Sequence, residues 1–207
     1  MFDNRIIPNS LVRLFKPSLH RAIRRTRSVA MISRNRMQNL HRLLADLNRR
    51  ESAGDIVETG VAAGGSAVFL GLLVRDHRLP REIWLYDAFD LLPEYGTPCR
   101  TVRQRIYEEF GFSESKMHVV PGFFHETLPH HPHRPIALLH IDTAPAEAVQ
   151  PALEHLVPFV VPGGWVVFDN YGSDASVRSL VDGWLQERAI TGALQRFGHT
   201  QACVQLG

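Results

Sequence analysis

The sequence predicts a doubly wound α/β domain, and three observations carry that prediction. Short apolar runs alternate with helical stretches from residue 55 onward, four of the five runs end in or beside an acidic residue, and a glycine-rich turn follows the first of them. Continuous apolar strands separated by helices form a parallel sheet that is covered on both faces. A final pair of apolar runs closes the chain as an antiparallel hairpin, which brings the expected sheet to about seven strands.

The elements follow in chain order. Residues 1–28 are polar and broken by Pro8 and Pro17, so only short helical pieces such as Leu11 to Phe15 are expected there. From Val29 to Arg49, Met31, Met37, Leu40, Leu43, Leu44 and Leu47 recur at spacings of three and four, the face of an amphipathic helix. Ser52-Ala53-Gly54 supplies its stop. The strand candidates are Ile56-Val57 into Glu58, Ile83 to Tyr86 into Asp87, Met117 to Val120, Ile136 to Ile141 into Asp142, and Trp165 to Phe168 into Asp169. Helical patterns lie at 66–78, 101–111, 146–158 and 175–187. The closing hairpin pairs Leu194 to Phe197 with Ala202 to Leu206 around Gly198-His199-Thr200.

Charge divides the chain at the same place. Residues 1–50 hold twelve Lys or Arg against Asp3 and Asp46, a net of +10, while the remainder is at −8. We therefore read 1–50 as a basic helical arm or lid and 51–207 as the ligand-binding domain. A basic arm is compatible with nucleic acid, but its arginines are not interleaved with stacking aromatics, so packing on its own acidic domain or on a second subunit is the expectation, with no nucleic acid and no membrane as partner. No apolar run approaches the roughly 20 residues of a membrane span, and no signal peptide is visible. Cys99 and Cys203 form no metal or disulfide pattern, which suits free thiols in a cytoplasmic protein.

In an open α/β sheet the ligand lies beyond the carboxyl ends of the strands. The first such end reads Asp55-Ile56-Val57-Glu58-Thr59-Gly60-Val61-Ala62-Ala63-Gly64-Gly65-Ser66: a strand, a turn that Gly60 sharpens, room for a ligand at Gly64 and Gly65, and a helix that Ser66 can cap. Glycines at 60, 64 and 65 match neither the dinucleotide fingerprint nor a phosphate loop, which points to a nucleoside without phosphates to cradle. Asp87, about 27 residues on, can accept both hydroxyls of a ribose, although a helix cap is the plainer use of such a residue. Asp142 and Asp169-Asn170 close two further strands. Two carboxylates and an amide oxygen there form an oxygen-rich set suited to Mg²⁺, which would lower the pKa of a bound hydroxyl; the bland alternative is capping.

These stretches, with Trp84-Leu85-Tyr86-Asp87-Ala88-Phe89, Leu92-Pro93, Gly122-Phe123-Phe124, Thr127-Leu128-Pro129 and Val161-Pro162-Gly163-Gly164 through Gly172, resemble the class I S-adenosylmethionine-dependent methyltransferases. The likeness is to the macrocin O-methyltransferase family in particular, and the helix from Arg34-Asn35-Arg36 to Leu47 resembles that family's N-terminal helix. The resemblance implies a Rossmann-like fold and an O-methyltransferase acting on a hydroxyl of a sugar or other natural-product scaffold, a small-molecule acceptor. It implies that Glu58, Thr59, Gly60, Gly64, Gly65 and Ser66 hold the methionine part of S-adenosylmethionine. Asp87 and Ala88 would hold the ribose, Gly122 and Phe123 the adenine side, and Asp142 would border the cofactor. Asp142, Asp169 and Asn170 would hold the divalent ion.

Two departures stand out. The family's Asp-x-Asp-Leu-Tyr is Asp142-Thr143-Ala144-Pro145-Ala146 here, and its Asp-Asp-Tyr is Asp169-Asn170-Tyr171. The Asp, Asp, Asn set matches catechol-type methyltransferases, but their lysine base falls on Pro145. Asp142 is therefore the first catalytic candidate and His125 the second; His140 and the histidines of 130–133 are the other imidazoles near the predicted edge, each with a plain packing or solvent role as its alternative. A homologue that has lost methyl transfer and works as a cyclase, rearrangement catalyst or binding subunit is the competing function. The arm, too small to hold its own core, is expected to close the pocket and to pack within a homo-oligomer.

Overall fold

A computed structural model describes residues 8–92, 94, 97–190 and 194–207. Residues 1–7 of the arm and Pro93 of the matching stretch lie outside the described residues. Seven strands form one sheet: β1 (Asp55–Thr59), β2 (Ile83–Asp87), β3 (Met117–Pro121), β4 (Ile136–Ile141), β5 (Val160–Phe168), β6 (Gln195–Phe197) and β7 (Gln201–Gln205). Their spatial order is β3-β2-β1-β4-β5-β7-β6, with β7 antiparallel to both β5 and β6. The order reverses between β1 and β4, and that is where a crevice opens in such sheets.

Helices cover both faces. On one side lie α1 (Asn9–Phe15), α2 (Pro17–Thr26), α3 (Arg34–Arg49) and α4 (Gly65–Asp76), followed along the chain by α5 (Cys99–Gln104), which runs on as a π-helical turn over Arg105–Glu109. On the other lie the one-turn α6 (Phe124–Thr127), α7 (Ala146–His155) and α8 (Ala175–Glu187). Strand alternation sorts the core accordingly: Ile56, Leu85, Leu138 and Val167 meet the first layer, whereas Val57, Tyr86, Leu139 and Phe168 meet the second.

The arm is more ordered than its composition suggests. Leu19, Ala22 and Ile23 of α2 are buried against the same core as α4, and Arg21 pairs with Asp76 at 3.0 Å. Two prolines did not prevent this, because Pro17 sits at the first helical position, where no amide hydrogen is needed. The third arm helix, α3, starts five residues later than Val29, at Arg34, capped by Ser33 accepting from the Arg36 amide. Met31, counted above on its apolar face, precedes the helix and is 74% exposed. Met37, Leu40, Leu43, Leu44 and Leu47 are buried as their spacing requires, and Asp46 accepts from the Trp165 indole at 3.1 Å, tying α3 to β5. The apolar faces of α2 and α3 are thus covered within the same chain, while Leu11, Leu14, Phe15 and Met31 of the arm stay exposed.

Candidate active site

A cleft of about 670 Å³ opens beyond the carboxyl ends of β1, β2 and β4, at the strand-order reversal. Its walls include Gly60 and Ala62 from the glycine turn, Asp87, Ala88 and Leu92 after β2, and Phe123, Phe124 and His125 after β3. Asp142 to Pro145 follow β4, and Asn170 follows β5. Of the residues singled out from the sequence, Gly60, Asp87, Ala88, Phe123, His125, Asp142 and Asn170 face this space. Glu58, Thr59, Gly64, Gly65, Ser66, Gly122 and Asp169 do not line it.

The turn is built by Asp87. Its Oδ2 accepts from the amides of Val61 (2.7 Å) and Ala62 (2.8 Å), and its Oδ1 from that of Phe89 at 3.0 Å. These bonds hold Ala62 and Phe89 at φ of 45° and 46°, conformations that a non-glycine residue keeps only when its surroundings enforce them. A carboxylate has about four acceptor positions, so Asp87 retains capacity toward the cleft. Gly60, at φ 86°, brings the backbone of β1 against β4: a Cβ there would lie 2.1 Å from the Asp142 carbonyl oxygen. Gly65 differs from the expectation. The close approach it permits is to the arm, since a Cβ would lie 2.2 Å from Ala30 Cα, and the segment Val29-Ala30 crosses the start of α4 at that point.

Behind the cleft lies a buried charge cluster. Glu58 and His140 are register partners on β1 and β4, and Asp169 continues β5; all three are fully buried. His140 Nδ1 lies 3.0 Å from Glu58 Oε1 and its Nε2 lies 3.4 Å from Asp169 Oδ1. Burial works against charging the His140 ring, but the bonds and charges of Asp169 and Glu58 win, and its pKa stands well above the ordinary value. An imidazole held between two carboxylates is a charged donor rather than a free base. His140 is therefore a packed strand histidine. His131 is another packed residue, buried with Nδ1 2.7 Å from the Tyr86 hydroxyl. His125 is exposed at the mouth and stacks on Phe123, ring centres 5.7 Å apart.

Asp169 is held from the arm side. Its Oδ2 accepts from Arg36 Nη1 at 2.8 Å, and its Oδ1 accepts from Gln201 Nε2. Arg36 Nε also donates to Thr200 Oγ1 at 2.9 Å, and Asn39 on the next turn of α3 donates to Gln201 Oε1. Burial pushes the Asp169 carboxyl up, yet His140, Arg36 and Gln201 together keep it below its ordinary value. Asp142, which faces the cleft, is pushed up to about 7, by burial first and then by the charge of Asp169. Asn170 Nδ2 reaches Asp142 Oδ1 at 3.4 Å.

The residues implied for magnesium do not fit that ion as arranged. His140, Asp142 and Asp169 bring one potential ligand atom each within 4.8 Å of one another, but the His140 ring sits between the carboxylates of Glu58 and Asp169, and Asp169 is engaged on both oxygens, one of them by a guanidinium. Of the implied set only Asp142 and Asn170 face the cleft, whose other carboxylates, Asp87 and Glu147, lie on the turn after β2 and on α7. Mg²⁺ favours a hard, anionic oxygen set. Arg36, Asn39 and Gln201 were not found in the sequence reading because their contacts join residues more than a hundred positions apart.

A seven-stranded sheet with a cleft at this switch point defines the class I methyltransferase fold, as comparison with solved structures also shows. The O-methyltransferase NovP superposes with a TM-score of 0.80 at 24% identity, covering 86% of this chain and 82% of that one. The apo structure of CalS11, a TDP-rhamnose 3'-O-methyltransferase, superposes at 0.62 with 22% identity, covering 99% and 89%. The chain belongs to the Macrocin-O-methyltransferase (TylF) family, whose family model matches residues 24–103 and 97–205. Among curated relatives it is 30% identical over 165 residues to 8-demethyl-8-(2,3-dimethoxy-alpha-L-rhamnosyl)-tetracenomycin-C 4'-O-methyltransferase of Streptomyces olivaceus, covering 70% of this chain and 63% of that protein. It is 28% identical over 164 residues to Mycinamicin III 3''-O-methyltransferase of Micromonospora griseorubida, covering 68% and 64%. The matched region thus spans just under two thirds of each of these relatives.

Proposed function

We propose that this chain transfers a methyl group from S-adenosylmethionine to a hydroxyl of a sugar or other natural-product scaffold. The observation that carries the reading is the placement of Asp87 and Asp142 on one cleft at the strand-order reversal. In this reading Asp87 and Ala88 take the ribose, Phe123 the adenine side, and the turn at Gly60 to Ala62 the methionine part. Glu58, Thr59, Gly64, Gly65 and Ser66 support that turn from behind. The family membership and the relatives' names, all O-methyltransferases of natural products, support the same reading.

The chemistry needs alignment more than covalent help. The acceptor oxygen attacks the methyl carbon, the carbon–sulfur bond breaks with its electron pair passing to sulfur, and the hydroxyl proton passes to Asp142. A carboxyl that ionises near neutrality inside a cleft is suited to that transfer. His125, at the mouth, contacts the acceptor beside Phe123 rather than the reacting atoms. Mg²⁺ has no step here, since Asp169, the second carboxylate of the implied set, is engaged by Arg36 and Gln201 and is not presented to the cleft.

A specific observation favours a second reading. Ala144 and Pro145 line the cleft where the resembled families place a carboxylate and a lysine, so a homologue that binds cofactor without transferring methyl is the alternative. Titration calorimetry of S-adenosylmethionine and S-adenosylhomocysteine, followed by acceptor screening with labelled cofactor, separates the cases. No binding of either nucleoside by folded protein overturns both readings. Binding without transfer to any hydroxylated sugar acceptor favours the second. The reading keeps 1–50 as arm and 51–207 as cofactor domain, with self-association through exposed Leu14, Phe15 and Met31 of the arm checked by light scattering.

A further inference from the structure

Three features meet behind the cleft, and each bears on the positive charge that a hydroxyl-activating site requires. Alternation along β1, β4 and β5 turns Glu58, His140 and Asp169 toward the face that α3 covers. The cation that arrives from α3 is Arg36, fixed at two points: Nη1 on Asp169 Oδ2 at 2.8 Å and Nε on Thr200 Oγ1 at 2.9 Å. Finally, the two acidic positions that would have enriched the donor set are Ala144 and Asn170, so of the strand-end set only Asp142 presents a carboxylate to the cleft, Glu147 of α7 being the other acid on that wall.

We propose that Arg36 takes the place of a divalent cation in this chain. Its guanidinium, clamped by Asp169 and Thr200, supplies the fixed positive charge behind Asp142, and the site holds no dication tightly.

The physical case is one of charge and donors. A dication on Asp142, Asp169 and Asn170 would have to share Asp169 with the Arg36 guanidinium at hydrogen-bond distance and with the charged His140 ring, and a third positive group at one buried carboxylate is repelled strongly where the dielectric is low. Removing Arg36 is no small rearrangement, because the bond to Thr200 and the Asn39–Gln201–Asp169 chain lock it to the closing hairpin. A planar guanidinium that is always charged is also the side chain best fitted to a permanent structural cation. The arm thereby acquires a part in the site without lining the cleft: it brings in a charge from the rear. Arg36 is in this sense a positioning residue, acting through Asp169 on the Asp142 corner.

This inference rests on the reading of the cleft as the methyl-transfer site, and the test keeps the two apart. Mn²⁺ serves as the probe, followed by electron paramagnetic resonance on the purified full chain after chelation. The free-ion signal is expected to persist with equimolar wild-type protein, and S-adenosylhomocysteine is expected to bind equally, within about twofold, in EDTA and in Mg²⁺. Arg36→Met, which keeps length and removes charge, is expected to bind Mn²⁺ at least about tenfold more tightly than wild type. Stoichiometric Mn²⁺ binding by wild type, abolished in Asp142→Asn, overturns the proposal, and this arm needs no Arg36 variant. Folded Arg36→Met that gains no Mn²⁺ affinity also overturns it. If S-adenosylhomocysteine binds under neither condition, the methyltransferase reading fails, whereas the Mn²⁺ result still decides whether Arg36 excludes the ion.

Discussion

Arg36 of the N-terminal arm and Asp169 at the end of β5 form a 2.8 Å ion pair across 133 positions of sequence, with the carboxylate fully buried. The pair makes the arm part of the structure behind the cleft, and it places a permanent cation beside the two strand ends on which the chemistry is expected.

Breaking that pair leaves a buried carboxylate with His140 and Gln201 as its remaining partners. Arg36→Met is expected to destabilise the fold toward the lower end of roughly 3–5 kcal/mol, the range for removing one partner of a buried pair. Arg36→Lys is expected to lose less. Urea unfolding of the three proteins checks the order; equal midpoints would mean that the pair is replaced by water without cost.

The pH dependence of stability should carry the signature of Asp142. Its folded-state pKa of about 7 lies above the ordinary 3.8, so across that window the folded protein binds the extra proton and stability falls as pH rises. Asp142→Asn is expected to flatten the slope between about pH 4 and pH 7 and to raise the melting temperature above wild type at neutral pH. His140, raised above its ordinary 6.5, contributes stability that is complete below that value and declines at higher pH in both proteins. Melting curves across this range give the answer; parallel profiles for the two proteins would rule out a buried, raised Asp142.

Asp87 has a double duty, since the bonds that shape the Val61–Ala62 turn come from the carboxylate expected on the ribose. Asp87→Ala is expected to weaken S-adenosylhomocysteine at least about tenfold, because bonds to a charged group contribute roughly 1.5–3 kcal/mol each. Calorimetry at constant pH measures it. Unchanged affinity in a folded variant would place the nucleoside elsewhere.

Two glycines make opposite predictions. Gly60→Ala puts a Cβ 2.1 Å from the Asp142 carbonyl oxygen at a φ of 86°, and the left-handed conformation alone costs about 1–2 kcal/mol. Gly183 lies inside α8 with open space around it, so Gly183→Ala is expected to stabilise by about 0.5–1 kcal/mol. Chemical denaturation of both variants tests the contrast, and a tolerated Gly60→Ala would mean that β1 and β4 can separate at the cleft floor.

The sequence by itself determined what local periodicity and spacing can encode. Apolar runs with intervening helical patterns specified the seven strands, the closing hairpin and the edge at which Asp87, Asp142 and Asp169 would gather, because side-chain alternation and helix period depend only on near neighbours. Its errors fell where neighbours distant in sequence decide the outcome. Helix α2 is ordered because α4 buries Leu19 and Ile23, and Gly65 is small for the sake of Ala30. The sequence named Asp142 and Asp169 as equivalent ligands, yet only tertiary structure turned one to the cleft and the other toward Arg36, Gln201 and His140. Buried charges are settled by the partners that surround them, and here those partners come from an arm, a hairpin and a neighbouring strand that only folding brings together.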